Sequence, residues 1–402
     1  MTVKPRRIAL LAAVTAAVVA LPAYMAVADD NVVAKKAEQV APGVTYEKKT
    51  ISTPHGKSIG HILTVDLTRE DVEVGLLTPG PVAATGVVTS LADRVKAVAG
   101  VNGDFFNIGQ TGAAVGPEIL DGKDRKGPVP GKQRHGPTPP PGTDNDSVFG
   151  ITKDGKTVID RLNVDGKATT AAGSFELKGL NQYAITVDGV GVFNADWGKT
   201  SRKRATCGTD DDRDAPCSEQ TKEVEIVDGK VTRVSDAPGE GQIAKDATVL
   251  LARDKGVEHL NGLSEGDEVN VDYQLASEDG ADLDTALGGL ILIDDGTMLD
   301  LNDDAATLAP RTAVGSNADG SKLYMVAVDG RSSTSVGATV KSMADIMVNL
   351  GADHNVINLD GGGSTTLVAR KAGNTATSVR NTPSDGSQRK VANGLGVFTK
   401  AA

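Results

Sequence analysis

Short β-type runs recur between Val148 and Leu275, and they are separated by Asp-Gly and Gly-Asp pairs at Asp154-Gly155, Asp165-Gly166, Asp188-Gly189, Asp228-Gly229 and Gly266-Asp267. Pairs of this kind supply the positive φ that tight antiparallel turns demand. This punctuation commits the middle of the chain to hairpins, and Lys222–Leu275 reads as a small β subdomain inserted into a larger fold. Upstream, Ile59–Leu67 and Val72–Leu76 alternate as half-buried strands do. Thr89–Val95 offers a short helix opened by an N-cap hydroxyl, and Ala97–Asn107 a strand ending in polar and aromatic residues. Gly127–Gly131 and Pro137–Gly142 are too rich in Pro and Gly for regular structure and read as exposed loop.

The last third is more apolar. Leu290–Ile293 and Leu323–Val328 read as buried strands. Val340, Met343, Ala344, Met347 and Leu350 recur at helical spacing, and Gly351 stops that helix. Asn355–Leu359 then reads as another strand. Strand, helix and strand make a βαβ unit, whose crossover brings Asp329-Gly330-Arg331 and Asp360-Gly361-Gly362-Gly363 to the same edge of a sheet. The expected fold class is therefore α+β: a mixed central β-sheet with flanking helices and a βαβ unit near the C-terminus, plus the hairpin-rich insertion at about 127–280.

Asp360 ends an apolar run and precedes three glycines and three hydroxyls, Ser364, Thr365 and Thr366. Bare glycine backbone can cup an anion, and the same run can equally serve as a tight turn between strands. Charge bears on the choice. The chain starts with Lys4, Arg6 and Arg7, an apolar stretch from Ile8 to Ala26, and the small-x-small signal Ala26-Val27-Ala28. That pattern is a secretory signal peptide, so residues 1–28 stand apart from the mature domain 29–402. No later stretch is long and apolar enough to span a bilayer. With the leader's three cations gone, a formal charge of −11 becomes −14. So acidic a chain is a poor partner for nucleic acid, and an anionic ligand would need a local cationic pocket. The segment from residue 286 onward, close to neutral, is where one can exist. Cys207 and Cys217 suit an exported protein as a local disulfide worth roughly 2.5–3 kcal/mol on the chain-entropy account. The acids between them lack EF-hand spacing, and the five histidines show no metal-ligand spacing. Trp197 reads better as a packed aromatic than as a sugar platform.

The blocks Asn102-Gly103-Asp104-Phe105-Phe106, Pro310-Arg311-Thr312-Ala313-Val314-Gly315, Val328-Asp329-Gly330-Arg331 and Asn358-Leu359-Asp360-Gly361-Gly362-Gly363-Ser364-Thr365, with a closing Arg389–Phe398, resemble in order the signature segments of the phosphodiester glycosidase family. The resemblance implies a secreted hydrolase that cleaves the glycosidic C1–O bond of a sugar-1-phosphodiester or phosphoglycan, releasing free sugar and a phosphomonoester. It implies catalytic carboxylates at Asp360 and Asp104. Phosphate would be held by Arg311, Arg331, Gly361, Gly362, Gly363, Ser364 and Thr365, since guanidinium groups fork phosphate oxygens. Sugar would contact Asn102, Phe105, Phe106 and Asn393, with at least one phenylalanine turned inward by strand alternation. Glu278 is the last glutamate, so any carboxylate from the C-terminal third is an aspartate. The sequence requires no cofactor and leaves a divalent metal open. Two other readings stand beside this one: a metal-dependent phosphodiesterase cutting P–O with Asp360 and Asp329 as ligands, and a non-catalytic module for anionic wall glycans.

Overall fold

The computed structural model describes residues 37–400; the leader at 1–28 lies outside them. The architecture is a stack of antiparallel sheets. An eight-stranded sheet runs Glu38–Ala41, Val44–Thr53, Gly56–Asp66, Lys322–Val328, Arg311–Ser316, Val356–Asn358, Leu290–Asp294 and Thr297–Met298. A five-stranded sheet runs Thr377–Val379, Leu367–Arg370, Ala99–Asn102, Gly394–Thr399 and Val72–Leu77. Their inner faces meet in one core that includes Leu63, Val65, Val74, Val101, Val314, Met325, Ile357 and Leu367. Seven-stranded and four-stranded sheets, built from residues within 118–288, complete the fold.

The expected mixed sheet with flanking helices is overturned: every ladder between named strands is antiparallel. The described residues hold two α-helices, α1 (Val88–Arg94) and α2 (Val340–Leu350). The misreading has a physical cause. Ile62, Ala313, Val326, Val328 and Val356 face α2, packing around Met343, Ala344 and Met347, while their alternating neighbours face the five-stranded sheet. A sheet covered on both faces carries unbroken apolar runs, the pattern usual for parallel α/β sheets. The crossover survives in altered form. Lys322–Val328 and Val356–Asn358 are both antiparallel to Arg311–Ser316, which lies between them, so they run parallel to each other. Asp329 and Asp360 therefore leave the sheet at one edge. Arg311, paired with Val328, starts its own strand at that edge.

Local chemistry sets the helix ends. The Thr339 side chain accepts the Ser342 N–H at 3.0 Å to open α2, and Gly351 closes it in the left-handed region at φ 97°. In α1 the expected N-cap hydroxyl is replaced by a distant side chain: Gln388 Oε1 accepts the Thr89 N–H at 3.1 Å. Cys207 and Cys217 are bonded. Trp197 is fully buried, its indole N–H donating to Thr200 O at 2.8 Å. No helix among the described residues is long and apolar enough to cross a membrane.

Candidate active site

The segment after Val356–Asn358 crosses from the eight-stranded sheet to Leu367–Arg370 of the five-stranded sheet, so Asp360–Thr366 bridges the two sheets at one rim. Asn102, at the end of its strand, holds this bridge from within. Its Nδ2 donates to Asp360 O at 2.7 Å, while its Oδ1 accepts the Thr312 hydroxyl at 2.7 Å and the Thr366 N–H at 2.9 Å. Asp360 N–H donates to Gly103 O at 2.9 Å. The buried Asn102 is thus a structural pin, with no atom left for a sugar.

The three glycines make room for charge. Gly361 lies where a Cβ would stand 2.7 Å from Pro310 O. Gly362 has φ 58° and lies under the Arg331 guanidinium, and a Cβ on Gly363 would come within 2.0 Å of Asp385 Oδ2 and 2.2 Å of Arg389 Nη2. Three of the loop's amides are already engaged within the protein. Gly362 N–H donates to Pro310 O, Ser364 N–H to Gly361 O and Thr365 N–H to Gly362 O, so the turn satisfies much of its own backbone.

Arg331 is exposed and makes no side-chain hydrogen bond or ion pair among the described residues. It also adopts φ 58°, a left-handed conformation that costs a bulky residue about 1 kcal/mol or more. Arg311 lies below, buried; its Nε donates to Ala338 O at 3.1 Å and its Nη2 to Thr307 O at 2.7 Å. Burial and the neighbouring Arg331 charge hold the Arg311 pKa below its ordinary value, and Asp360 opposes them. Arg389 pairs with Asp385 at 2.7 Å and reaches Ser364 Oγ at 3.5 Å. Three guanidiniums therefore converge on the Asp360–Ser364 turn: Arg331 over Gly362, Arg389 beside Ser364, and Arg311 within reach of both Arg331 and Asp360.

Asp360 keeps some accessible surface although dense protein surrounds it. Burial pushes its carboxyl up to about 6, a hydrogen bond from Ser364 and the charge of Arg389 pull it down, and the Asp104 charge adds to the rise. Asp104 is buried differently. Its Oδ1 accepts the Phe105 N–H at 2.7 Å and its Oδ2 the Gly116 N–H at 2.6 Å, while its own N–H donates to Asn393 Oδ1 at 2.8 Å. Burial raises its pKa against Arg134, the Gly116 amide and Lys126. Asn393 also donates to Glu118 Oε1 at 2.8 Å. Phe105 and Phe106 both pack inward, in separate clusters. Ser364 and Thr365 are buried beneath the turn.

Asp329 is locked. His61 Nε2 lies 3.2 Å from its Oδ2, Tyr46 OH 2.8 Å from His61 Nδ1, and the Thr382 N–H donates to its Oδ1 at 2.8 Å. Burial alone would raise the Asp329 pKa, but the bonds from His61 and Thr382 outweigh it and bring it below the ordinary range. No group of three or more His, Cys, Asp and Glu among the described residues is arranged to hold a metal ion.

Two arginines were not assigned from sequence. Arg389 heads the closing block, but nothing in its spacing links it to Gly363. Arg134 lies between the two Pro-rich stretches read as exposed loop, and it and Gln133 are buried. Its guanidinium stacks on Phe105 at 4.5 Å, donates from Nη1 to Asn145 Oδ1 at 3.1 Å, and leaves Nη2 without a partner. Both Asp104 and Asp360 act on its charge.

Fold and site together define a predominantly antiparallel β-protein with an arginine-ringed aspartate at a sheet junction, an arrangement suited to an anionic substrate. Residues 221–398 match the model of the phosphodiester glycosidase family. Over that span the match bears out the resemblance carried by the later blocks, and it supports a glycosidase-type hydrolase; the Asn102–Phe106 block lies outside it. Among solved structures, a hypothetical protein from Synechocystis is similar at TM-score 0.71 and 22% identity, covering 91% of this chain and 64% of its own. A provisionally named exported protein from Burkholderia pseudomallei follows at TM-score 0.64 and 22% identity, covering 85% and 74%. At these identities the likeness establishes the fold alone, and this chain spans less than two thirds of the Synechocystis protein. The catalytic domain of zebrafish N-acetylglucosamine-1-phosphodiester α-N-acetylglucosaminidase is similar at TM-score 0.45 and 17% identity over 91% of this chain and 87% of that one, too loosely to carry an argument. No curated protein matches the chain by sequence.

Proposed function

We propose that this protein hydrolyses the glycosidic C1–O bond of a sugar-1-phosphodiester. Water adds to C1, the C1–O bond breaks, and the electron pair leaves on the phosphate oxygen, giving free sugar and a phosphomonoester. The observation that carries the reading is the convergence of Arg311, Arg331 and Arg389 on the turn that carries Asp360, with Asp385 paired to Arg389 at its rim. Arg331, exposed and without a partner among the described residues, and Arg389 stabilise the departing phosphate, while Arg311 raises the local potential from below. Asp360 acts as nucleophile or as base toward water. Asp104, with both oxygens taken by main-chain N–H groups, holds the turn and contributes its field. An exported location, with phosphoglycans of the cell surface as the substrate class, accords with the leader-like N-terminus.

Hydrolysis in heavy-oxygen water tests the bond. Label is expected in the sugar's anomeric hydroxyl; label in the phosphomonoester would mean P–O cleavage and end this reading. The pH dependence is a second test. Asp360 must be ionised to work, so kcat/KM should fall as pH drops through about 6, near tenfold per unit below it. A rate unchanged down to about pH 5 would take Asp360 out of the role.

A further inference from the structure

Asp385 is the only acidic side chain in the sequence after Asp360, and the fold sets it on the turn that carries Asp360. A Cβ on Gly363 would stand 2.0 Å from its Oδ2 and 2.5 Å from its Cγ, so the carboxylate lies against that glycine. The segment is tied down on both sides. Asn381 donates to Thr365 O at 3.0 Å and accepts the Leu367 N–H at 2.9 Å, and the Thr382 N–H donates to Asp329 Oδ1 at 2.8 Å. Beyond Asp385, Gln388 Nε2 donates to Thr89 Oγ1 at 3.0 Å. Between these anchors the Asp385 side chain stays 39% accessible.

Its contact with Arg389 is not a matched fork. Arg389 Nε and Nη2 both donate to Oδ2, at 3.2 and 2.7 Å, and Oδ1 accepts no hydrogen bond among the described residues. A partly exposed pair of this kind adds little stability. A carboxylate beside an anion site also weakens the hold on the anion. Neither stability nor affinity accounts for an acid here; selection by charge does.

Around the turn the guanidiniums of Arg311, Arg331 and Arg389 stand against the carboxylates of Asp360 and Asp385, which leaves one net positive charge. Deeper, Asp104 and Arg134 oppose one another, and Asp329 is turned to His61. A phosphodiester carries one negative charge and balances the turn. A phosphomonoester, whose second pKa is about 6, carries close to two at about pH 8 and overshoots it.

We propose that Asp385 is a specificity-determining residue that matches the site to a monoanion, so that the diester is accepted and the dianionic monoester is repelled once formed. The inference rests on the reading of this turn as a phosphodiester site. Its test uses two small probes, dimethyl phosphate and methyl phosphate, titrated at about pH 8 into the whole protein with binding followed by phosphorus NMR. Repulsion scales with the charge of the ligand, so Asp385→Asn should tighten the dianion by the square of its effect on the monoanion, about tenfold against about threefold. Added salt should shrink both gains. Arg331→Met should weaken both probes, which locates them at this turn, and Asp385→Asn should melt as the parent does.

Equal gains for the two probes, weaker binding of either in Asp385→Asn, no change, or indifference to Arg331→Met would each overturn the proposal. Weaker binding is the mark of an acid that only braces Arg389. These outcomes are separate from the bond that is cleaved. Heavy oxygen in the phosphomonoester would end the C1–O reading and leave the charge selection standing, whereas equal gains beside label in the sugar would remove the selection and leave the reaction.

Discussion

Asp360→Asn is expected to lower kcat by about 10³-fold, within the 10²–10⁴ that a positioned base supplies, and to make the protein more stable at neutral pH. Asparagine keeps the side chain's shape and an acceptor for Ser364, but it neither attacks C1 nor takes a proton from water. The stability gain follows from the raised pKa. A free aspartate titrates near 3.9, and Asp360 in the fold at about 6. The folded protein therefore holds this proton more tightly than the unfolded chain. The stability that the protonated group contributes is complete below the unfolded value and is lost as pH rises through about 6. At pH 7 the ionised carboxylate is a cost that asparagine removes. Allowing for the surface Asp360 retains, the variant should gain about 1–2 kcal/mol at pH 7 and nothing near pH 3. Urea titrations at the two pH values, beside the rate on a sugar-1-phosphodiester, measure both halves. Near-normal turnover in the folded variant would remove Asp360 from the mechanism; inactivity with lost stability would make it a structural aspartate.

That opposition, function gained where stability is given up, was partly legible in the sequence. An acid ending an apolar run and followed by glycines marks a sheet edge, and the edge was placed correctly because strand, helix and strand fix the exit of both Asp329 and Asp360. The pairing between those strands was not legible. Ile357 and Val356 face two different cores, so the run carries no alternation from which antiparallel neighbours can be inferred. The long-range partners were hidden for a related reason. Arg134 reaches the site from a loop whose composition reads as solvent-exposed, and its burial depends on Phe105 and Asn145 beneath it. Asp104 looked like a second catalytic acid from its block. In the fold, the Phe105 and Gly116 amides each donate to one of its oxygens. Glycine runs carry the same ambiguity, because clearance for a neighbouring side chain and readiness to cup an anion look alike in one dimension.

Gly363→Ala separates those two meanings, and it should cut kcat/KM by about 10²-fold, the scale of losing one transition-state donor, while costing under about 1 kcal/mol of stability. Gly363 does not require a left-handed backbone, so alanine adopts its conformation without strain. The new methyl meets Asp385 Oδ2 and Arg389 Nη2 at 2.0 and 2.2 Å. Arg389 is the end of a long, partly exposed side chain that swings into solvent at little expense, and the short, partly exposed Asp385, its Cγ 2.5 Å from the new methyl, turns away about χ1. What is lost is placement: Arg389 leaves Ser364 and no longer faces the phosphate. A second signature follows. Arg389 lowers the Asp360 pKa, so its departure should move the acid limb of the rate profile above about 6. If clearance is the cause, Gly363→Ala added to an Arg389→Met variant should change little further, since both act through one side chain. Were the glycine amides themselves the phosphate cradle, the two substitutions would add, and the acid limb of Gly363→Ala alone would stay where it was.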